Sequence, residues 1–384
     1  MQNQLKVLFI TSWYPHASNP MHGIFVREHA RAVQLFDEIR ILHILESQDV
    51  LKPSWQLNID NDFSVTAGLL TYRLRISRSP YRSLTFLYYL WRTMQAFRQL
   101  YSTGYRPDIL HAHTFRAGFV SVVIGKLYHL PVVISEHNSA FPRRLLTTSK
   151  IILSRLAFQN AERVLVPSKY LQKSIESYGI RARFEVCPNV VDTDIFYPPD
   201  KSDVAITNKQ LLSIGHLEPN KGLDVLIKAL ASLFASRQDW HLIVIGAGSN
   251  RTQYELLVDE LGLHDNVSFY GYQSKSKIAN IMRDSDLFIL SSHVETFSLA
   301  AAEALACGLP VLSTRCGGPE EFITPEVGRL VPANDPISMG TELLSMLGQL
   351  DRYVRENISA YASTYFSPRK VGTNLHNLYS QLVE

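Results

Sequence analysis

Short apolar runs alternate along this chain with longer stretches in which apolar residues recur every three or four positions. Continuous apolar runs are the signature of strands buried on both faces, and the three-to-four spacing is that of amphipathic helices. The pattern predicts strands at Lys6–Thr11, Ile39–Ile44, Thr71–Arg75, Ile109–Ala112, Val132–Ser135, Arg163–Val166 and Phe184–Cys187. Helical periods fall between them at Ile24–Leu35, Ser83–Tyr101, Ala117–Leu127, Ser149–Gln159 and Lys169–Tyr178. The rhythm then restarts. Strands are expected at Gln210–Ile214, His241–Gly246, Val267–Tyr270, Leu287–Leu290 and Val311–Ser313, with helices at Gly222–Phe234, Gln253–Leu261, Ser276–Met282, Ser298–Cys307 and Ser338–Leu350. Strand–helix alternation of this kind predicts a parallel, doubly wound sheet. Two such series predict an α/β protein of two Rossmann-like domains facing each other across a cleft. The break falls in Pro188–Asn208, where Pro188, Pro198, Pro199 and Asp200 interrupt regular structure. The expected division is therefore a domain over 1–190, a linker over 191–208 and a domain over 209–366. The last helix, Pro368–Leu382 within 367–384, is open to either domain, including a return to the first.

Length and composition agree. A chain of 384 residues exceeds one ordinary core, and 46% hydrophobic with 19% charged residues is a globular balance. No apolar run reaches the ~18 residues that would span a bilayer. Val7–Ile10 continues into Trp13-Tyr14-Pro15 without a small-residue cleavage site, so it reads as a first buried strand and not a signal peptide. Three cysteines, Cys187, Cys307 and Cys316, make an odd number without metal spacing and suggest reduced thiols in a cytoplasmic protein. Charge changes the picture more. Residues 1–199 hold 23 Lys and Arg against 14 Asp and Glu, and the remainder holds 15 against 21. The basic first half suggests an anionic partner for that half.

The most informative chemistry lies in Glu295-Thr-Phe-Ser-Leu-Ala-Ala-Ala-Glu303, which follows the strand Leu287–Leu290 and opens a helix ending at Gly308 and Pro310. A helix start at the carboxyl end of a strand is an anion site, because its first amides have no partner inside the helix. Phosphate at the amides of Phe297, Ser298 and Leu299 would have a carboxylate on either side to accept hydrogen bonds from hydroxyls. This suits a nucleotide sugar. The bland alternative is an alanine-rich packing helix with solvated acids. Ser213–Gly222 repeats the strand-to-helix arrangement, with Gly215 and a cation at Lys221 suited to a diphosphate. Ser12–Gly23 is a long loop after the first strand, and Gly23 can offer its amide to an anion; a plain connection is as consistent with the pattern.

Other features are less specific. His111 and His113 share a strand face, but nothing nearby supplies a third zinc ligand, so His111 reads as structural and His113, at the strand tip, as a ligand contact. Asp192-Thr-Asp194 and Asp284-Ser-Asp286 invite a magnesium reading that their linker and turn positions weaken. Gly246-Ala-Gly248 lacks the third glycine of a dinucleotide fingerprint. Tyr81–Tyr105 interleaves arginines with aromatic residues, which fits either a core-facing helix with a basic outer face or contact with an anionic membrane. Arg143 and Arg144 add positive charge to the same half.

On these residues the chain resembles the family-4 glycosyltransferases of the GT-B fold. The strongest element is Glu295–Val311, supported by Ser213–Gly222, Val244–Gly248, Val267–Gly271, Pro188–Phe196 and Gly317-Gly318-Pro319-Glu320-Glu321. The opening Trp13-Tyr14-Pro15 and Gly23-Ile24-Phe25-Val26 is similar to bacterial members that build surface polysaccharide or glycolipid. The resemblance implies a retaining hexosyl transfer from a UDP- or GDP-linked donor, with no metal or further cofactor, to a carbohydrate or lipid-linked acceptor. It implies a catalytic set of Glu295, Lys221 and His113. Donor contacts would come from Glu303 at the ribose, from Gly23 and His216 at the diphosphate, and from Thr296, Phe297, Ser298 and Leu299. Glu136, His137, Arg143 and Arg144 are the candidates for acceptor contact. Nucleic acid is not expected as a partner; peripheral contact with the inner face of an anionic membrane is. The chain departs from the family at His216, where an arginine is usual, and at Ser298 and Val190, where glycine is common. A nucleotide-sugar epimerase on the same scaffold and a non-catalytic nucleotide-sugar-binding protein are the alternatives.

Overall fold

β1 (Lys6–Thr11) is apolar from Val7 to Ile10 because both of its faces are covered there. Leu8 and Ile10 join one core cluster, and Val7 and Phe9 join another on the opposite side of the sheet. The computed structural model describes residues 4–47, 55–77, 82–199, 209–234 and 239–384. It divides into two compact units, Met1–Val190 with Pro368–Glu384, and Val191–Ser367.

The first unit continues from β1 through α1 (Ile24–Gln34), β2 (Glu38–Ser47), β3 (Trp55–Asp60), α2 (Phe63–Thr66), β4 (Thr71–Ser77) and α3 (Arg82–Ser102). It goes on through β5 (Ile109–His113), α4 (Phe115–Tyr128), β6 (Val132–Ser135), α5 (Thr148–Gln159), β7 (Arg163–Val166), α6 (Lys169–Glu176) and β8 (Phe184–Val186). Among the described residues its sheet runs β3-β4-β2-β1-β5-β6-β7-β8. All neighbours are parallel except β3, which is antiparallel to β4. The pattern of apolar runs passes over β3 because polar residues alternate with its apolar ones on an edge strand, where Asn58 and Ile59 are both exposed.

The second unit holds β9 (Lys209–Ile214), α7 (Leu223–Phe234), β10 (Trp240–Ile245), α8 (Arg251–Glu260), β11 (Val267–Gly271), α9 (Lys275–Asp284), β12 (Leu287–Leu290) and α10 (Leu299–Ala306). It closes with β13 (Val311–Thr314), β14 (Gly328–Val331), α11 (Pro336–Leu347) and α12 (Arg355–Phe366). Its sheet is parallel in the order β11-β10-β9-β12-β13-β14, the doubly wound Rossmann arrangement. The last helix, α13 (Pro368–Val383), belongs to the first unit. Val371, Leu375 and Tyr379 enter the core beside α1, and the buried His376 bonds Asp37 at 2.9 Å.

This winding decides where ligands can sit. In an open α/β sheet the crevice opens at the carboxyl ends of the strands where the order reverses. That point lies between β1 and β5 in the first unit and between β9 and β12 in the second.

Candidate active site

In the second unit the reversal point carries the residues singled out in the sequence. A small recess there is lined by Gly215, His216, Lys221, Ser291 and Ser292. β9 ends at Ile214, and the chain turns through Gly215–Leu217 into a short 3-10 turn, Pro219–Lys221. That turn is tied to the segment after β12. The Ser291 hydroxyl donates to the Lys221 carbonyl at 2.9 Å, and the His293 amide donates to the Asn220 carbonyl at 3.0 Å. Lys221 is therefore aimed, and its Nζ meets Glu295 Oε1 at 2.7 Å. The Ser292 hydroxyl donates to the same oxygen at 2.8 Å. Glu295 is held in turn by its backbone: its amide donates to the Cys316 carbonyl at 2.8 Å, and its carbonyl accepts from the Gly318 amide at 2.9 Å. Gly246 explains the Gly-Ala-Gly turn. At φ +147° it lies so close to Gly215 that a Cβ would come within 1.8 Å of that residue's oxygen. The glycine pattern here serves packing of two loops, not a dinucleotide.

Ser298 caps α10 with φ +71°, and its side chain makes no capping bond. Glu303 lies half-buried on α10. The Phe297 ring is buried against Phe322 and Phe366, so only its backbone faces the loop's polar side. Thr296 and Leu299 are half-buried, and His216 is exposed. The structure thus sets Lys221 and His216 in one recess, with Glu295 paired to that lysine, while Glu303 stands on α10.

The remaining aspartate pairs have local duties. Asp286 accepts from the Gln210 amide at 2.8 Å and pairs with Lys209 at 3.6 Å, which clamps the start of β9. Asp192 accepts from the Asp194 amide at 3.2 Å. Among the described residues no group of three His, Cys, Asp or Glu side chains is placed to hold a metal.

In the first unit the candidates behave differently. Gly23 caps α1 at φ +64°, and a Cβ there would lie 2.3 Å from the Trp13 carbonyl. The loop itself therefore demands glycine at this position. His113 is fully buried. Its ring lies 4.6 Å from that of His111 and 5.8 Å from that of His137, and neither of its nitrogens has a hydrogen-bond partner. Burial and the neighbouring His111, His137 and His29 hold its pKa well below the usual imidazole value. His111 is structural, bonded to the Tyr379 hydroxyl at 2.6 Å and the Ser135 hydroxyl at 2.8 Å. Glu136 is buried, and its oxygens accept from the amides of Phe115, His137 and Asn138 at 2.8, 2.9 and 2.9 Å. It ties the start of α4 to the loop after β6. Burial outweighs those three donors and lifts its pKa from 4.5 to about 7. His137 is buried, whereas Arg143 and Arg144 are exposed, and Arg144 stacks on Tyr178 at 4.7 Å.

A larger cavity, about 890 Å³, opens elsewhere in the first unit, along the β1–α1 loop, the end of β2 and the β3–β4 edge. Arg73, Arg75, Arg116, Glu46, Asp60 and His16 are among its walls. Sequence reading missed it. The available signal was Arg73 and Arg75 two apart in an apolar strand, which puts both on one face.

Both units are of the Rossmann type, and their architecture places the chain in the GT-B class. The family described as "Glycosyl transferases group 1" matches residues 198–363, and "Glycosyltransferase Family 4" matches residues 56–195. The chain belongs to the family-4 glycosyltransferases. Among its relatives, D-inositol 3-phosphate glycosyltransferase of Corynebacterium jeikeium is 28% identical over 309 residues, covering 73% of each chain. A GDP-mannose-dependent phosphatidylinositol monomannoside mannosyltransferase of Corynebacterium glutamicum is 26% identical, covering 56% of this chain and 60% of that one. Similar solved folds include sucrose-phosphate synthase from Thermosynechococcus elongatus, with a TM-score of 0.76, 20% identity and 99% of both chains covered. Another is Anabaena HepE in complex with UDP-glucose, with a TM-score of 0.73, 20% identity, and 99% and 100% covered.

Proposed function

We propose that this glycosyltransferase moves a hexose from a nucleotide diphosphate to an acceptor bound by the first unit, with retention at the anomeric carbon. The observation that carries the reading is the Lys221–Glu295 pair at the reversal point of the second sheet. The donor diphosphate takes the ammonium of Lys221 and the free amides at the start of α10. Glu295, already anchored by Lys221 and Ser292, accepts from donor sugar hydroxyls, and Glu303 accepts from the ribose. As the bond between the anomeric carbon and the phosphate oxygen breaks, negative charge grows on the diphosphate, where Lys221 is worth most. The acceptor oxygen forms the new bond on the same face, and its proton passes to the departing phosphate. Fold relatives crystallised with UDP and UDP-glucose support a uridine donor, and the mannosyltransferase relative supports a guanosine one. The expected setting is surface polysaccharide or glycolipid synthesis at the inner face of a membrane.

The test is turnover of a panel of UDP- and GDP-hexoses by wild type, Lys221→Ala, Glu295→Gln and Glu303→Ala. Loss of one transition-state contact lowers the rate by about 10²–10³, so Lys221→Ala should fall in that range. Near-normal rates in all three variants would refute the assignment.

A further inference from the structure

We propose that the large cavity of the first unit selects an acceptor sugar that carries an acidic group, a carboxylate or a phosphate, and that Arg75 is the residue that recognises it. The inference rests on the transferase reading and adds the chemical class of its acceptor.

The cavity, about 890 Å³, is within the range that holds a ligand of one or more sugar rings. Its charges are unequally engaged. Arg73 is buried and donates through Nε to Asp60 Oδ2 at 2.7 Å, with further bonds to His43 and, at 3.1 Å, to the Pro15 carbonyl. Arg116 pairs with Glu46. Asp62 is engaged as well. Arg75, on the same face of β4, lines the cavity, is exposed and makes no ion pair among the described residues. Three arginines therefore face the cavity, and the guanidinium without an acid is the most exposed of them.

A neighbouring histidine lies within reach of both Arg73 and Arg75. His16 lines the cavity, and burial, His22, Arg73 and Arg75 all depress its proton affinity. Asp60 and Glu46 engage Arg73 and Arg116, and Asp62 is engaged as well, so the cavity's described charges balance and the recognition asked of Arg75 is local to its own guanidinium. The remaining walls suit a sugar. Trp13 gives a half-buried aromatic surface, and Asn58 and Ser12 offer polar atoms to hydroxyls. A guanidinium that binds a carboxylate or phosphate through paired donors then fixes the sugar's orientation.

The test is a binding titration of the whole chain, followed by NMR, with glucuronate, glucose 6-phosphate, glucose and inorganic phosphate as probes. At least one acidic sugar should bind about tenfold more tightly than glucose, the size of one charge-assisted contact. Whichever of the two acids binds identifies the group as carboxylate or phosphate. Arg75→Gln should erase that preference, and Arg75→Lys should keep part of it. Equal binding of glucose, an unchanged preference in Arg75→Gln, or inorganic phosphate binding as tightly as either sugar acid would each overturn the proposal. UDP and GDP binding on the same preparations reads the donor site separately, and Arg75→Gln should leave it intact. A wild-type protein that takes neither nucleotide yet still selects the acidic sugar would remove the donor reading and leave this selectivity standing.

Discussion

Ser298 occupies a backbone conformation, φ +71°, in which a Cβ is crowded and glycine is at ease. Its hydroxyl makes no capping bond that would compensate. Ser298→Gly should therefore raise stability by about 0.5–1 kcal/mol, seen as a higher urea midpoint at unchanged slope, and Ser298→Val should lower it. A destabilised Ser298→Gly would show that the serine has a partner the geometry does not reveal. His216 invites a second substitution. It stands exposed at the recess beside Lys221, and a guanidinium there would always be charged and would fork onto phosphate. His216→Arg should tighten nucleotide diphosphate binding several-fold by calorimetry, with little change in melting temperature; weaker binding would place the diphosphate elsewhere. At this scale the sequence was readable where local order settles position. Glu295 and Lys221 follow strand ends, so their place at the carboxyl ends of the sheet's strands follows from the run of elements. Depth was not readable. The alternation of His111 and His113 shows that they share a face, but only the packing of Phe9, His29 and His137 around them shows that His113 is covered. Arg75 escaped notice because an arginine in a strand announces nothing until its neighbours' ion pairs are known.

Among the elements, α3 has a division of labour that its sequence only half discloses. Tyr89, Thr93, Ala96, Phe97 and Leu100 face the core, as the helical spacing demands. The outward stripe is not simply basic. Leu84, Leu87 and Trp91 are 50%, 58% and 50% exposed, and Arg92 lies over the Trp91 ring at 4.1 Å. From Phe63 to Pro107 the chain carries seven arginines and no acidic residue. Apolar side chains among cations suit an anionic bilayer surface, where rings and leucines enter the headgroup zone and arginines meet phosphate. Among the described residues no helix is long and apolar enough to cross a membrane. The protein should therefore sediment with vesicles containing anionic lipid, less as salt rises, and Leu87→Asp with Trp91→Ala should reduce binding several-fold. Equal sedimentation with neutral vesicles, or none, would leave the stripe without this role. Tyr81, at the start of that segment, lies outside the described residues, as does Asp200 with the rest of the proposed linker from 200 to 208. Strands buried on both faces, such as β1 and β12, were legible because both faces demand apolar residues. The edge strand β3, the short β14 with its Gly328 and Arg329, and α12 were not, because half-covered or amphipathic segments dilute the apolar signal.

For the molecule as a whole, the doubly wound plan followed from strand–helix alternation alone, whereas the distribution of buried imidazoles did not. Among the described residues every buried histidine lies in the first unit: His29, His43, His111, His113, His137 and His376. The first five have pKa values pushed below 6.5 chiefly by burial. As pH falls below the unfolded value of about 6.5, the unfolded chain takes up protons that the folded unit refuses, so their contribution is complete above that pH and is lost beneath it. Glu136 works the other way. Its folded pKa of about 7 exceeds the ordinary 4.5, so the folded state holds a proton that the unfolded state has released, and acidification through that window stabilises it. Each proton taken up on unfolding is worth at most about 1.4 kcal/mol per pH unit, and five imidazoles outweigh one carboxyl. Moving from pH 7.5 to 5.5 should therefore weaken the first unit. In hydrogen exchange corrected for intrinsic rates, amides of β1, β5 and β6 should lose protection while those of β9 and β12 keep theirs. Equal loss in both sheets would mean that acid acts through something other than these imidazoles. The same cluster links stability to chemistry: a charge on His113 would have to enter a fully buried stack of neutral rings, so the first unit should be at its firmest near and above neutrality.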